Sequence, residues 1–209
     1  FDGDGDRLIA VDETGTVLTG DQVLAVCAAV LKKEGALANN LVVRTVMSNI
    51  GLGVTFASLG IDSVMAKVGD RYVLEAMQAQ GAVIGGEDSG HLIFLDHHTT
   101  GDGIITALQV AAAVRKEGKK LSDLARIMKV FPQVLLNVEV KRRPEIETVP
   151  AIAAAIREAE TALGSRGRVL VRYSGTQNLC RVMVEGPTPE ETARQCRKIA
   201  AVVEKSLND

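Results

Sequence analysis

Apolar and polar positions recur with two different periods along the chain, and the changes of period mark its elements. RLIAVD (7–12) has a strand-like pattern and runs into the turn ETGT. DQVLAVCAAVLKKEG (21–35) carries its apolar residues at helical spacing and stops at a glycine. LVVRTVM (41–47) and SVMAK (63–67) are β-branched runs that predict strands, and RYVLEAMQAQG (71–81) predicts a second glycine-ended helix. AVIGGE (82–87) and HLIFLD (91–96) predict two strands flanking a Gly-Gly-containing loop. GDGIITALQVAAAVRKEG (101–118) reads as a long helix with an apolar face, and LSDLARIM (121–128) as a short one capped by Ser122.

The pattern then changes. VLLNVEVK (134–141) is a clear strand, followed by the charged stretch RRPEIE. A helix over 149–163, strands RVLVRY (168–173) and CRVMVEG (180–186), and a helix TPEETARQCRKIAAVVEKSL (188–207) complete the chain. Strand and helix in alternation mean α/β layers, and the later β-α-β-β-α order means a compact two-layer α+β unit. The boundary is expected near residues 129–134, around FPQ. No internal repeat or low-complexity segment is present.

Composition narrows the function classes. The 209 residues suit one large domain or two ordinary ones, and 46% hydrophobic residues suffice for a core. A net charge of −2 without a basic run argues against a nucleic-acid or anionic-membrane partner. Aromatics at 3% and no Trp leave few stacking platforms. Cys27, Cys180 and Cys196 are scattered, with no C-x-x-C pair, which fits a reducing, cytoplasmic setting. No signal peptide or run of apolar residues long enough to span a bilayer is read, so a soluble protein is expected. The chain begins with Phe1, and a carboxylate-rich loop at a terminus is unusual. A C-terminal piece of something longer is therefore expected.

The opening FDGDGDR raises the first chemical question. Asp2, Asp4 and Asp6 alternate with Gly3 and Gly5, so in an extended segment the carboxylates point the same way. Like charges about 4 Å apart repel by roughly 1–4 kcal/mol per pair. A hard divalent cation, Mg²⁺ or Ca²⁺, reverses that sign. A calcium EF-hand loop competes, because Glu13 falls where its last ligand would be, but Arg7 stands where that loop needs Gly. A solvated acidic turn is the third reading. Arg7 beside the acids favours a metal and a cation facing a phosphate together.

Three further stretches carry candidate chemistry. In GGEDSGH (85–91), glycines give the backbone freedom while Glu87, Asp88, Ser89 and His91 supply donors and acceptors suited to sugar hydroxyls; an ordinary polar turn reads equally well. In RYSGTQN (172–178), Arg172, the hydroxyls of Ser174 and Thr176, backbone N–H groups around Gly175, and Arg181 beyond form a candidate phosphate nest, against the alternative of a plain hairpin turn. In KVGDRYV (67–73), Lys67 ends an apolar strand; it is either a solvated edge charge or, beside a phosphate, a source of charge or a proton.

In this order the stretches resemble the α-D-phosphohexomutase superfamily, whose enzymes have four domains. FDGDGDR is similar to its metal-binding loop, GGEDSGH to its sugar-binding loop and RYSGTQN to its phosphate-binding loop. TVMSNIGL (45–52), AKVGDRYV (66–73) and TTGDGI (99–104) resemble its bacterial glucosamine-phosphate branch, and the likeness covers nearly the whole chain. The resemblance implies interconversion of glucosamine 6-phosphate and glucosamine 1-phosphate through a phosphoserine and a bisphosphorylated sugar. It implies Asp2, Asp4 and Asp6 as Mg²⁺ ligands, with Arg7, Lys67 and His91 as catalytic residues. Glu87, Asp88, Ser89 and Gly90 would meet the sugar; Arg172, Ser174, Gly175, Thr176 and Arg181 would grip the non-reacting phosphate. Residues 1–17 would be the tail of domain 2, residues 18–131 domain 3, α/β with a mixed sheet, and residues 132–209 domain 4, a sheet covered by helices on one side, with the active cleft of the full protein where all four domains meet. A hexosamine phosphate and the N-terminal domains of the same protein are the implied partners, and a homodimer is open.

Three departures stand out. The phosphate loop of that superfamily reads Ser-Gly-Thr-Glu-Pro, whereas Gln177 and Asn178 follow Thr176 here. Asp88 stands where the glucosamine branch carries Asn or Gln, and an acid there favours a 2-ammonium group. The phosphoserine motif of the family is not found, and Ser48 lacks its flanking pattern, so this chain alone is expected to be inactive. A glucose- or mannose-phosphate mutase, a non-catalytic sugar-phosphate-binding module and a calcium-binding structural module are the competing readings.

Overall fold

The computed structural model describes residues 1–175 and 177–208, which fall into two compact units, 1–130 and 131–209. In the first, helix α1 (Gly20–Lys33) starts at a capping box: the Thr19 hydroxyl accepts from the Gln22 N–H, and the Gln22 side chain accepts from the Thr19 N–H. Lys32 and Lys33 close its last turn, the negative end of the helix dipole. Strands β1 (Leu41–Thr45), β2 (Asp62–Ala66), β3 (Ile84–Gly86) and β4 (Leu92–Phe94) form one sheet in the order β2-β1-β3-β4. β1 runs parallel to β2 and β3, and β4 runs antiparallel to β3, so the sheet is mixed as expected.

The strands are too apolar for a one-sided sheet. Val42, Ile84, Leu92 and Phe94 pack into the core of α1, while Val43 and Ile93 on the opposite face pack against Val73 and Met77 of α3 (Asp70–Gln80). Helices thus cover both faces. Helices α4 (Gly103–Glu117) and α5 (Leu121–Ala125) complete this unit, and residues 1–17 pack on it, with Ala10 in the α1 core.

Three expectations are corrected here. RLIAVD is not a ladder strand; it makes a single antiparallel bridge, Val11 to Val17, while Leu8 and Ala10 turn into the core and Ile9 and Val11 stay exposed. Helix α2 (Ile50–Leu59) was not expected, because Gly51, Gly53, Val54 and Thr55 give it little intrinsic propensity. Its start is set by Asn49, whose side chain accepts from the Gly51 N–H. Ser122 is not a cap: α5 is preceded by Lys120, and the Ser122 hydroxyl instead donates to the Glu13 carboxylate at 2.5 Å.

The second unit is a three-stranded antiparallel sheet of β5 (Gln133–Glu139), β6 (Arg168–Tyr173) and β7 (Leu179–Glu185) in the order β5-β7-β6. Helices α6 (Pro150–Leu163) and α7 (Pro189–Asn208) cover one face, burying Cys180, Val182 and Val184 against Ile152, Ile199 and Val203. This is the expected two-layer arrangement. Among the described residues no helix is long and apolar enough to cross a membrane.

Candidate functional site

The acidic loop and the loop between β3 and β4 come together in the first unit. One carboxylate oxygen from each of Asp2, Asp4 and Asp6 lies within 4.8 Å of the others. Oxygen ligands around a small hard cation stand about 3–4 Å apart, so side-chain adjustment alone closes this set around one. Arg7 folds back on the loop: its N–H donates to Asp2 Oδ1 at 3.2 Å, and its Nε lies 3.5 Å from Asp2 Oδ2 and 3.8 Å from Asp6 Oδ1. Asp6 Oδ1 is buried without a hydrogen bond among the described residues. Desolvation and the hydrogen bond to Asp2 raise Asp6 above the usual carboxylate range, against the opposing pull of His91. Asp2 moves the other way: desolvation is outweighed by the Arg7 N–H, the Asp6 hydrogen bond and the Arg7 charge. The crowding of these carboxylates is what a divalent cation in their midst would relieve. The donor set therefore fits a hard metal ion.

The acidic loop is held by neighbours distant in sequence. Gly103 N–H donates to the Gly5 carbonyl at 3.0 Å, and Leu8 N–H to the Gly90 carbonyl at 3.1 Å. His91, only 4% exposed, places Nε2 3.4 Å from Asp6 Oδ2. A side chain at Gly101 would collide with the His91 ring. The stretch TTGDGI thus has a structural role that the sequence did not disclose: Gly101 seats the histidine, and Asp102 caps α4 by accepting from the Ile105 N–H at 2.9 Å.

In the β3–β4 loop, Glu87 N–H donates to the His91 carbonyl at 3.0 Å and Gly90 N–H to the Glu87 carbonyl at 3.1 Å, a tight turn. Glu87 Oε1 accepts from Gly69 N–H at 3.0 Å, which ties the turn to the segment after Lys67. Lys67 is exposed, with Nζ 5.7 Å from the Tyr72 ring centre. The loop abuts the start of α1, where the Asp88 carbonyl accepts from Gly20 N–H at 3.0 Å and Asp88 Oδ1 from Asp21 N–H at 3.4 Å. Asp88 and Ser89 are exposed, so this turn presents polar side chains on a fixed backbone. Asp21, missed in the sequence, is fully buried and accepts from Asn49 N–H at 2.5 Å, linking the starts of α1 and α2.

The third stretch lies in the second unit, between β6 and β7. Arg172 and Arg181 are directly opposite in the ladder, and Asn137 is opposite Arg181 on the other side. Like charges so placed destabilise a ladder unless an anion joins them. Arg181 Nε is buried without a hydrogen bond among the described residues. Ser174 is 3% exposed; its N–H donates to the Leu179 carbonyl at 2.8 Å, and its hydroxyl accepts from Gln177 N–H at 3.3 Å. Gly175 is exposed, and Thr176 lies outside the described residues. Arg143, which the sequence showed only as part of a charged run, reaches this turn from the end of β5.

Comparison with known proteins bears on both units. Residues 19–131 match the model for phosphoglucomutase/phosphomannomutase, alpha/beta/alpha domain III, and residues 135–202 that for the C-terminal domain of the same family. The chain is 71% identical over 207 residues to a phosphoglucosamine mutase of Syntrophus aciditrophicus, covering 99% of this chain and 46% of the relative. It is 49% identical over 211 residues to that of Listeria monocytogenes, covering 100% and 47%. The chain thus spans about half the length of the curated relatives it matches. In fold it is similar to Aspergillus fumigatus N-acetylphosphoglucosamine mutase, solved with GlcNAc-6P and magnesium, with TM-score 0.82 and 22% identity over 100% of this chain and 51% of that one.

Proposed function

The chain belongs to the phosphoglucomutase/phosphomannomutase family, and we propose that it supplies the metal, sugar and phosphate loops of a phosphoglucosamine mutase. The reaction passes a phosphoryl group from a phosphoserine, in sequence outside these residues, to the free hydroxyl of glucosamine 6-phosphate or glucosamine 1-phosphate. The hydroxyl proton goes to a base, and the sugar becomes a bisphosphate. After reorientation its other phosphoryl group returns to the serine.

The observation that carries this reading is the convergence of Asp2, Asp4 and Asp6 beside His91 of the β3–β4 loop. In this reading the three aspartates hold Mg²⁺, which when bound supplies positive charge to the oxygens of the moving phosphoryl group. Arg7 adds a second positive charge there. Exposed Lys67 serves the proton transfer, and buried His91 orients Asp6. Glu87, Ser89 and the Gly90 turn meet sugar hydroxyls. Asp88 has one oxygen on the start of α1, which leaves the other to face a 2-ammonium group. Arg172, Arg181, Ser174, Gly175 and Thr176 receive the phosphate that does not react.

The test is a coupled assay of the full gene product with glucosamine 1-phosphate and Mg²⁺. Turnover that disappears on chelation and in Asp4→Asn supports the mutase reading. Binding of the sugar phosphate without turnover would leave a binding module, and calcium-dependent folding without any sugar-phosphate effect would leave a structural metal site.

A further inference from the structure

Three consecutive cations leave the end of β5 and do two different things. Lys141 Nζ donates to the Asn208 carbonyl at 3.1 Å, and Arg142 Nη2 to the Ser206 carbonyl at 2.9 Å. Both end on the last turn of α7, where unpaired carbonyls and the negative end of the dipole favour a cation. Arg143 turns to the β6–β7 loop instead. Its Nη1 donates to the Ser174 carbonyl at 3.4 Å, and its Nη2 to Asn178 Oδ1 at 3.0 Å and to the Gln177 carbonyl. The guanidinium carbon lies 6.0 Å from the Tyr173 ring centre, and the Tyr173 hydroxyl donates to the Pro144 carbonyl at 2.8 Å. Two segments are therefore tied together from both sides.

The planar fork of an arginine suits this work, because it can hold several acceptors at once from one fixed plane. It grips the loop at both ends: Ser174 before Gly175, and Gln177 and Asn178 after it. Gln177 and Asn178 contribute no fixed φ, and the bonds they give Arg143 restrain the turn instead.

We infer that Arg143 is a positioning residue for the phosphate-binding loop, holding the backbone at Ser174, Gln177 and Asn178 in the arrangement that receives a phosphate. This rests on the reading of Arg172 and its neighbours as a phosphate site. A loop left free must be ordered when the anion arrives, and that ordering weakens binding. The variant should lose affinity without losing the anion's own ligands.

The experiment titrates the 209-residue chain with glucosamine 6-phosphate and with inorganic phosphate, following backbone amide shifts, and measures amide hydrogen exchange in parallel. Arg143→Gln should bind about tenfold or more weakly, with faster exchange at Gly175 and Gln177 and unchanged exchange at Val182 and Val184. Arg172→Gln should also bind weakly, but with loop exchange as in the parent. If Arg143→Gln binds like the parent while Arg172→Gln does not, the inference is wrong and the phosphate reading stands. If affinity falls in Arg143→Gln with loop exchange unchanged, Arg143 touches the phosphate itself and the positioning role is overturned. If neither variant differs from the parent, or the parent binds nothing, the phosphate reading fails and takes the inference with it. Should Arg143→Gln disturb Val182 and Val184, Arg143→Lys decides: it keeps the charge but not the fork, and equal loop protection and affinity there would sink the idea.

Discussion

His91 Nε2 stands 3.4 Å from Asp6 Oδ2, joining the turn between β3 and β4 to the acidic loop. The ring is buried and backed by Gly101, so its position is set by the fold and not by the loop it contacts. Partners of metal-ligating groups tune affinity by orienting them, with effects of about 10–100-fold. His91→Ala should therefore weaken Mg²⁺ or Mn²⁺ binding by about that factor. Asp4→Asn, which removes a proposed ligand outright, should weaken it at least as much. A Mn²⁺ titration followed by electron paramagnetic resonance reads both; an unchanged affinity in His91→Ala would separate the histidine from the metal site.

Gly20 opens α1 against the sugar loop, and its lack of a side chain is what permits the contact. A methyl group there would fall 2.7 Å from the Asp88 carbonyl oxygen and 2.5 Å from the Gly90 nitrogen. These are backbone atoms, so no side-chain rotation relieves the clash. Gly20→Ala should cost about 1–3 kcal/mol in urea unfolding and move the amide resonances of residues 87–91. Gly3→Ala, where the added methyl meets nothing within 4 Å, is the control and should leave stability nearly unchanged. Equal midpoints for the two variants would show that the loop yields freely.

Much of this architecture is legible in the sequence wherever local pattern and tertiary burial agree. α1 and α4 show their apolar spacing and glycine or lysine ends, and Asp2, Asp4 and Asp6 are legible as a cluster because they fall within five residues, although a bend through residues 3–5, with Gly5 at φ 77°, and not an extended strand, brings their carboxylates together. The failures have a common physical origin in contacts between distant residues. α2 begins where Asp21 accepts from Asn49, and nothing local to Ile50–Leu59 reports that bond. RLIAVD has strand-like residues, but the chain offers it only the Val11–Val17 bridge. Arg143 sits in a charged run, and its partners lie beyond α6, at Ser174, Gln177 and Asn178. Spacing identifies which side chains can converge; it does not identify what holds them there.

Asp21 illustrates how a buried acid can be structural. Its carboxylate is fully buried and takes the Asn49 N–H at the start of α2, while its own N–H meets Asp88. Asp21→Ala leaves a buried N–H without its acceptor, at a cost of about 1–3 kcal/mol or somewhat more because the acceptor is a carboxylate. Urea unfolding should show a lower midpoint with an unchanged slope. Asp21→Asn keeps an acceptor oxygen and should lose less. A neutral Asp21→Ala would mean that water or a neighbour takes over the N–H.

The three thiols make stability fall on the alkaline side. Burial pushes Cys27 up to about 12 and Cys180 and Cys196 up to about 11, from an ordinary value of 9.0. Below the ordinary value all three are protonated in both folded and unfolded chains, and their contribution is fully present. As pH rises through the window up to about 11, and for Cys27 about 12, the unfolded chain releases protons that the folded chain keeps, so stability is lost. The slope approaches about 1.4 kcal/mol per pH unit for each thiol. Residues 131–209 hold Cys180 and Cys196 while residues 1–130 hold Cys27, so the second unit should lose stability roughly twice as steeply. Tyrosines and lysines also titrate in this range, so the informative quantity is the difference between parent and Cys180→Ala. Urea unfolding across about pH 8 to 10 should show a shallower decline in the variant. Parallel curves would mean that Cys180 ionises equally in both states and that its burial does not hold the proton.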